Sequence, residues 1–217
     1  MNNIIFDFDS TIVENESFND LLKIALKGDK EKSKQVDEIV NKSMNGIISV
    51  KESLEFRFKI ATPNKEQIKE VVNSAKIVYG MQALIKDLLK ESNVYIVSGG
   101  FKEMIIPVAE ILGISSNNVY ANEFIYNKDN VISVKESVLT EQQGKAKIIK
   151  SLNIKTKKIM VGDGWTDLET YLYGAVDEFI AFFGVVKREK VDKEAKLKAN
   201  NVDELRKILL KGEKNEI

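Results

Sequence analysis

The stretch Ile4-Ile5-Phe6-Asp7-Phe8-Asp9-Ser10-Thr11 decides the fold. Ile4, Ile5, Phe6 and Phe8 are the β-branched and aromatic residues that fill a strand buried on both faces, so this strand belongs in the middle of a sheet. Asp7 interrupts the apolar run where the strand gives way to a turn, and a carboxylate buried there needs a partner, a metal or a proton. Asp9 follows at strand spacing. In an open α/β sheet, ligands gather beyond the carboxyl ends of the strands, which is where this pair would lie. A structural explanation exists for the residues after Asp7: Asp9, Ser10 or Thr11 can cap a following helix, and Thr11 with Glu14 fits a capping box. It leaves Asp7 unexplained.

Outward from this stretch, the whole chain sets limits on the chemistry. At 217 residues, 43% hydrophobic and 30% charged, it can build one sizeable α/β core with a small insert, and disorder is not expected. Lys+Arg and Asp+Glu balance at 33 each, so no net basic field draws nucleic acid or an anionic membrane. Cysteine and histidine are both absent, which excludes thiolate and imidazole metal sites and Ser-His-Asp or Cys-His catalysis. Acid-base and metal chemistry must come from carboxylates, Lys, Ser/Thr or Tyr. The amino terminus has no basic region followed by an apolar core, and the longest apolar run, 179–186, is too short to span a membrane. A cytoplasmic protein, monomeric or homodimeric, is expected.

After Thr11 the period changes. Phe18, Leu21, Leu22, Ala25 and Leu26 recur at helical spacing up to Gly28-Asp29; a charged segment from Lys30 carries Val36, Ile39, Val40 and Met44 on one side; 50–61 and 65–75 are further amphipathic helices. With no strand among them, residues 14–76 read as an inserted helical-bundle cap, and 1–13 with 77–217 as the α/β core. A helix over 81–90 resumes the alternation, followed by strand 94–97, Ser98-Gly99-Gly100 and helix 101–112. Strands 119–125 and 131–134 flank a hairpin turn at Asn127-Lys128-Asp129-Asn130. Helix 145–152, strand 159–161, helix 166–173, strand 179–182 and helix 202–210 complete a parallel α/β pattern. The polar tail 211–217 is expected to fray.

Chemistry-bearing residues recur at the strand ends. Ser98 with two glycines before a helix offers a hydroxyl and backbone N–H groups of the kind that cradle a phosphate oxygen, although an ordinary tight turn has the same composition. Lys145 stands at a helix start, where the macrodipole disfavours a cation unless an anion is near. Asp163 follows the apolar run Ile159-Met160-Val161-Gly162 as Asp7 follows its own. Thr166 and Glu169 fit a capping box, and Asp167 in the first turn suits the dipole. A few oxygen ligands without His or Cys suit Mg²⁺, which keeps waters and recruits phosphate oxygens. Together these residues would complete a phosphoryl-transfer site: Asp7 would attack phosphorus, Asp9 would protonate the leaving oxygen and later deprotonate water, and Ser98, Lys145 and Mg²⁺ would offset the phosphate charge.

DFDST at 7–11 with its preceding strand, SGGF at 98–101, GKA at 144–146 and GDGWTD at 162–167 resemble, in order and spacing, the four motifs of haloacid dehalogenase superfamily phosphatases. The resemblance is closest to the phosphoserine phosphatases and covers nearly the whole chain. It implies a Rossmann-like parallel sheet core (the haloacid dehalogenase fold) with an inserted helical cap, hydrolysis of O-phosphoserine, and a place in serine biosynthesis. It further implies Asp7 as nucleophile and metal ligand, Asp9 as acid-base and metal ligand through its backbone carbonyl, Asp163 as the third protein ligand, and Asp167 in support of the metal. Ser98, Gly99 and Lys145 would bind phosphate. Glu16 would meet the substrate amine and Arg57 its carboxylate, with Ser10, Gly100 and Thr166 beside them. Trp165 departs from the family, which usually has a small residue there, and this bears on the pocket floor or on the substrate.

Arg57 has support of its own. On a helical wheel Val50, Leu54 and Ala61 surround it, and an arginine in an apolar stripe wants an anion, either a substrate carboxylate or an internal Glu. Another small phosphomonoester is the nearest alternative substrate. A phosphate-binding regulatory module usually lacks a nucleophile or metal ligand that is present here. A response-regulator receiver carries its phosphorylated Asp after a later strand and needs no cap.

Overall fold

The computed structural model describes residues 2–44 and 47–211. Strand β1 (Asn2–Phe6) is followed by α1 (Ser17–Leu26), α2 (Lys30–Met44), α3 (Val50–Ile60) and α4 (Lys65–Ser74), and then by α5 (Met81–Leu88) and β2 (Ser92–Phe101). Next come α6 (Lys102–Ile111), β3 (Val119–Asn122), a hairpin of β4 (Phe124–Asn127) and β5 (Asn130–Val134), α7 (Gly144–Ser151), and β6 (Lys158–Gly162). The chain finishes with α8 (Trp165–Leu172), β7 (Glu178–Phe182), α9 (Glu189–Glu194), β8 (Leu197–Ala199) and α10 (Val202–Lys211).

The main sheet has the order β3-β2-β1-β6-β7-β8, parallel throughout. β1 is central because alternate side chains must be buried on opposite faces. Ile4 and Phe6 pack with Leu84 and Ile85 of α5, Ile105 of α6 and Leu205 of α10, while Ile5 packs with Ile149 of α7, Met160 of β6 and Leu168 of α8. From β1 the strand order runs outward one way to β2 and β3, then returns to β6 and runs the other way. The reversal leaves a crevice at the carboxyl ends of β1 and β6, the place where a doubly wound sheet holds its ligand.

A third apolar cluster lies among the helices between β1 and α5. Phe18, Leu21, Leu22, Leu54, Phe58, Ile68 and Val71 gather there, but Phe101, Met104, Phe124 and Val131 complete the cluster. Phe101 and Phe124 stack with ring centroids 3.9 Å apart, and Phe58 meets Phe124 edge-on. The hairpin thus packs against α1, α3 and α4.

Several local expectations change. No helix follows Thr11: the N–H groups of Thr11, Ile12 and Val13 all turn back to the Phe8 carbonyl, and the helix waits until Ser17, so the Thr11–Glu14 capping box does not form. β2 runs on through Ser98-Gly99-Gly100 to Phe101 instead of turning. The segment expected as one strand over 119–125 divides between the main sheet and the hairpin, whose turn does fall at 127–130. α8 starts one residue early with Gly164 at its N-cap, so Asp167, not Glu169, reaches back to the cap N–H. β8 and α9 carried too few apolar residues to show a period. Of the expected frayed tail, 212–217 lie outside the described residues, as does the Met44 side chain.

Candidate active site

β1 ends with the Asp7 N–H bonded to the Val161 carbonyl of β6 at 2.9 Å, so the two strand ends that carry Asp7 and Asp163 are tied together. The chain then turns sharply, with Ser10 in the left-handed region at φ 54°, a conformation that costs a non-glycine residue energy and that neighbouring contacts must hold. Those contacts are Ser10 N–H to the Asn15 carbonyl and Ser10 Oγ donating to Glu16 Oε1 at 2.8 Å. The turn brings Asp9 against the start of α1, where its Oδ1 accepts from Ser17 N–H at 3.1 Å and Ser17 Oγ at 2.7 Å.

On the β6 side, a Cβ at Gly162 would stand 2.4 Å from the Asp167 carboxyl carbon. Only glycine permits Asp167 to lie against the strand end. One Asp167 oxygen accepts from Gly164 N–H at 3.0 Å and the other from Lys145 Nζ at 2.6 Å. Lys145, buried in the first turn of α7, also stands 2.8 Å from Asp7 Oδ1, an ion pair outside hydrogen-bond alignment. The anions that rationalise a cation at this helix start are therefore Asp7 and Asp167.

Ligand oxygens of Asp7, Asp163 and Asp167 all lie within 4.8 Å of one another. In a chain with no His or Cys, such an oxygen-only set suits a hard divalent cation such as Mg²⁺. The Asp9 carboxylate is turned to Ser17 and stands outside this set.

Burial raises several carboxyls. Asp9 is pushed up to about 7 by burial, with its Ser17 bonds opposing and Glu16 and Asp7 adding to the rise. Asp163 is raised to about 6 by burial and the nearby Asp7, with Arg188 opposing. Asp167 is raised by burial and Asp7 against the pull of Lys145. Burial alone would lower Lys145, but Asp167 and Asp7 hold it above the ordinary lysine range.

Ser98 is buried and its Oγ accepts from Gly100 N–H at 3.0 Å. A Cβ built on Gly100 would lie 3.3 Å from Ser98 Oγ and 3.6 Å from Asp9 Oδ2, which places the Ser98 hydroxyl and the Asp9 carboxylate on one side of the crevice. Gly99 is exposed, with nothing within 4 Å of its Cβ position. Thr166 is exposed on the first turn of α8. Arg57 is half-buried, with its guanidinium 4.6 Å from the Phe18 ring centre, Nε donating to the Ser53 carbonyl and Nη1 to Asn19 Oδ1. Burial lowers it to about 10. Its side-chain hydrogen bonds go to these two neutral acceptors, and it has no carboxylate partner among the described residues.

The sequence reading missed Arg188. It precedes α9, donates from Nε to Asp163 Oδ2 at 2.6 Å, and reaches Glu16 Oε1 with Nη2 at 3.4 Å, joining the core to the start of α1. Its place in the loop after β7, at the same sheet edge as Asp7 and Asp163, was the available signal. Ser17, which holds Asp9, was also missed. Trp165 is half-buried, with Nε1 donating to Glu169 and its ring lying under Lys190 of α9.

A profile of haloacid dehalogenase-like hydrolases matches residues 1–171. Phosphoserine phosphatase of Homo sapiens is 32% identical over 201 residues, covering 89% of this chain and 86% of the human one. The chloroplastic phosphoserine phosphatase of Arabidopsis thaliana is 33% identical over 87% of this chain, which spans 65% of the plant protein's length. Among solved structures, a phosphoserine phosphohydrolase-like protein from Francisella tularensis is 36% identical, with a TM-score of 0.86 over 96% of this chain and 100% of that one. The chain belongs to the haloacid dehalogenase-like hydrolases. Within that family it is a phosphatase close to the phosphoserine phosphatases.

Proposed function

We propose that the chain hydrolyses a small phosphomonoester through an aspartyl-phosphate on Asp7, with O-phosphoserine as the substrate. Asp9 supports this chemistry most directly. It is raised to about 7, near the value that suits a group giving and taking a proton at neutral pH, and it is held two residues from Asp7 by two bonds from Ser17. A carboxylate oxygen of Asp7 attacks phosphorus, the P–O bond to the ester oxygen breaks, and Asp9 protonates that oxygen as serine leaves. Asp9 then takes a proton from water, whose oxygen attacks phosphorus; the bond to Asp7 breaks and inorganic phosphate departs. Asp7, Asp163 and Asp167, with the Asp9 backbone carbonyl, would hold Mg²⁺, which offsets phosphate charge when bound. Ser98, Gly99 and Lys145 bind the phosphoryl oxygens.

Residues 14–76 act as a cap over this crevice and select the substrate. Arg57 carries a guanidinium with no carboxylate beside it among the described residues, and a carboxylate on the substrate is the anion it receives. Glu16, between Ser10 and Arg188, meets the substrate amine, with the buried Gly100 and the exposed Thr166 as further substrate contacts. Phosphate release from phosphoserine, phosphothreonine, a sugar phosphate and an aryl phosphate, each with and without Mg²⁺, tests the reading. Mg²⁺-dependent preference for phosphoserine is expected. Preference for an ester without amine and carboxylate overturns the substrate, and no turnover of any ester overturns the chemistry.

A further inference from the structure

β2 and β3 pair in parallel with Val97 opposite Tyr120, but the next pair is Phe101 opposite Asn122. β2 therefore carries more chain across this interval than β3, and Ser98, Gly99 and Gly100 bulge out of the ladder toward the crevice. A bulge of this kind has no register to hold it. Asn122, the last residue of β3, supplies the hold: it is 1% exposed and its Nδ2 donates to the Gly99 carbonyl at 2.8 Å. The Gly99 carbonyl and the Gly100 N–H belong to one rigid peptide group. Asn122 grips its oxygen, and the N–H at its other edge donates to Ser98 Oγ at 3.0 Å.

We propose that Asn122 is a positioning residue of the phosphate cradle, acting through the Gly99–Gly100 peptide to aim the Ser98 hydroxyl. Because Ser98 Oγ accepts from that peptide, its own proton is left to be given to a phosphoryl oxygen. The cost of placing Asn122 there argues that its amide is needed, since its Oδ1 is buried with no hydrogen-bond partner. An apolar residue of the same size would be easier to bury, so the single bond from Nδ2 is what the amide contributes. This inference rests on the phosphatase reading of the site.

The test is the affinity for inorganic phosphate, measured calorimetrically in the presence of Mg²⁺. Asn122→Leu fills the same space without a donor, and Asn122→Ala serves should the larger side chain disturb folding. Either should weaken phosphate binding roughly 3- to 10-fold, the scale of one hydrogen bond. In a Ser98→Ala background the same change should fall to under about 2-fold, because the group it positions is gone. Unchanged phosphate affinity in both variants, or an equal loss with and without Ser98, overturns the proposal. Wild-type protein that binds no phosphate overturns the phosphatase reading as well.

Discussion

Asp7 and Asp9 sit two residues apart in different surroundings, and the roles proposed for them differ accordingly. Asp7 faces Lys145 and two further carboxylates, whereas Asp9 is half-buried against the first N–H and hydroxyl of α1. Asp7→Asn preserves volume and leaves Lys145 paired to Asp167, so it should fold normally and lose phosphate release by roughly 1,000-fold or more, as expected when a nucleophile is removed. Substantial hydrolysis by that variant contradicts covalent catalysis. Arg57→Ala tests the substrate. Losing a charge-assisted bidentate contact costs about 2–4 kcal/mol, a drop of roughly 30- to 1,000-fold in kcat/KM for phosphoserine. An aryl phosphate, with no carboxylate to grip, should change far less, and an equal loss on both esters would make Arg57 a structural residue of α3. Asp7, Asp163 and Lys145 were legible in the sequence because each follows an apolar strand or opens a helix with no local need for its charge. Arg188 was not, because it sits among Lys187, Glu189 and Lys190, where one more cation looks like solvated surface.

At the scale of elements, long apolar runs were readable and short polar ones were not. β1, β2 and β6 are buried on both faces and declare themselves. α9 has Val191 alone among charged residues, and β8 has three residues, so their order comes from docking on β7 and α8. The join between α6 and the hairpin makes a separate prediction. Glu103, in the first turn of α6, accepts the Phe124 N–H of β4 at 2.9 Å, while its second oxygen is buried without a partner. Burial raises its pKa, with the Phe124 bond opposing. A carboxyl whose folded pKa lies above its unfolded one contributes stability fully present below the unfolded value and lost as pH rises through the folded value. Glu103→Gln stays neutral throughout and avoids that loss. Its melting temperature relative to wild type should therefore rise between pH 4 and pH 8, whatever constant offset the new amide introduces. A difference independent of pH would mean that Glu103 ionises as freely folded as unfolded.

For the whole molecule, the site is a meeting of distant parts of the chain. Asp7 follows β1, Lys145 opens α7, Asp163 and Asp167 flank the start of α8, and Arg188 precedes α9. Among the described residues three clustered carboxylates face two cations, so the arrangement has room for more positive charge, and no unfolded chain would hold these carboxylates together. A cation bound only by the folded form stabilises it by mass action, about 2.7 kcal/mol at a concentration 100 times Kd. In a domain of this size, that corresponds to a rise in Tm of roughly 5–10 °C. Mg²⁺ titrated against the protein in chelator-treated buffer, without substrate, should produce this rise, and excess chelator should reverse it. Asp163→Asn, which keeps the shape of the side chain but removes one charged ligand, should shrink the Mg²⁺-dependent rise whatever it does to the metal-free Tm. Ca²⁺, which prefers more ligands and looser geometry, should give a different increment from the same site. If Mg²⁺ leaves Tm unchanged at millimolar concentrations, the three carboxylates serve only as partners for Lys145 and Arg188. In that case the aspartyl-phosphate route loses its metal while the fold, built on β1 and β6, stands as described.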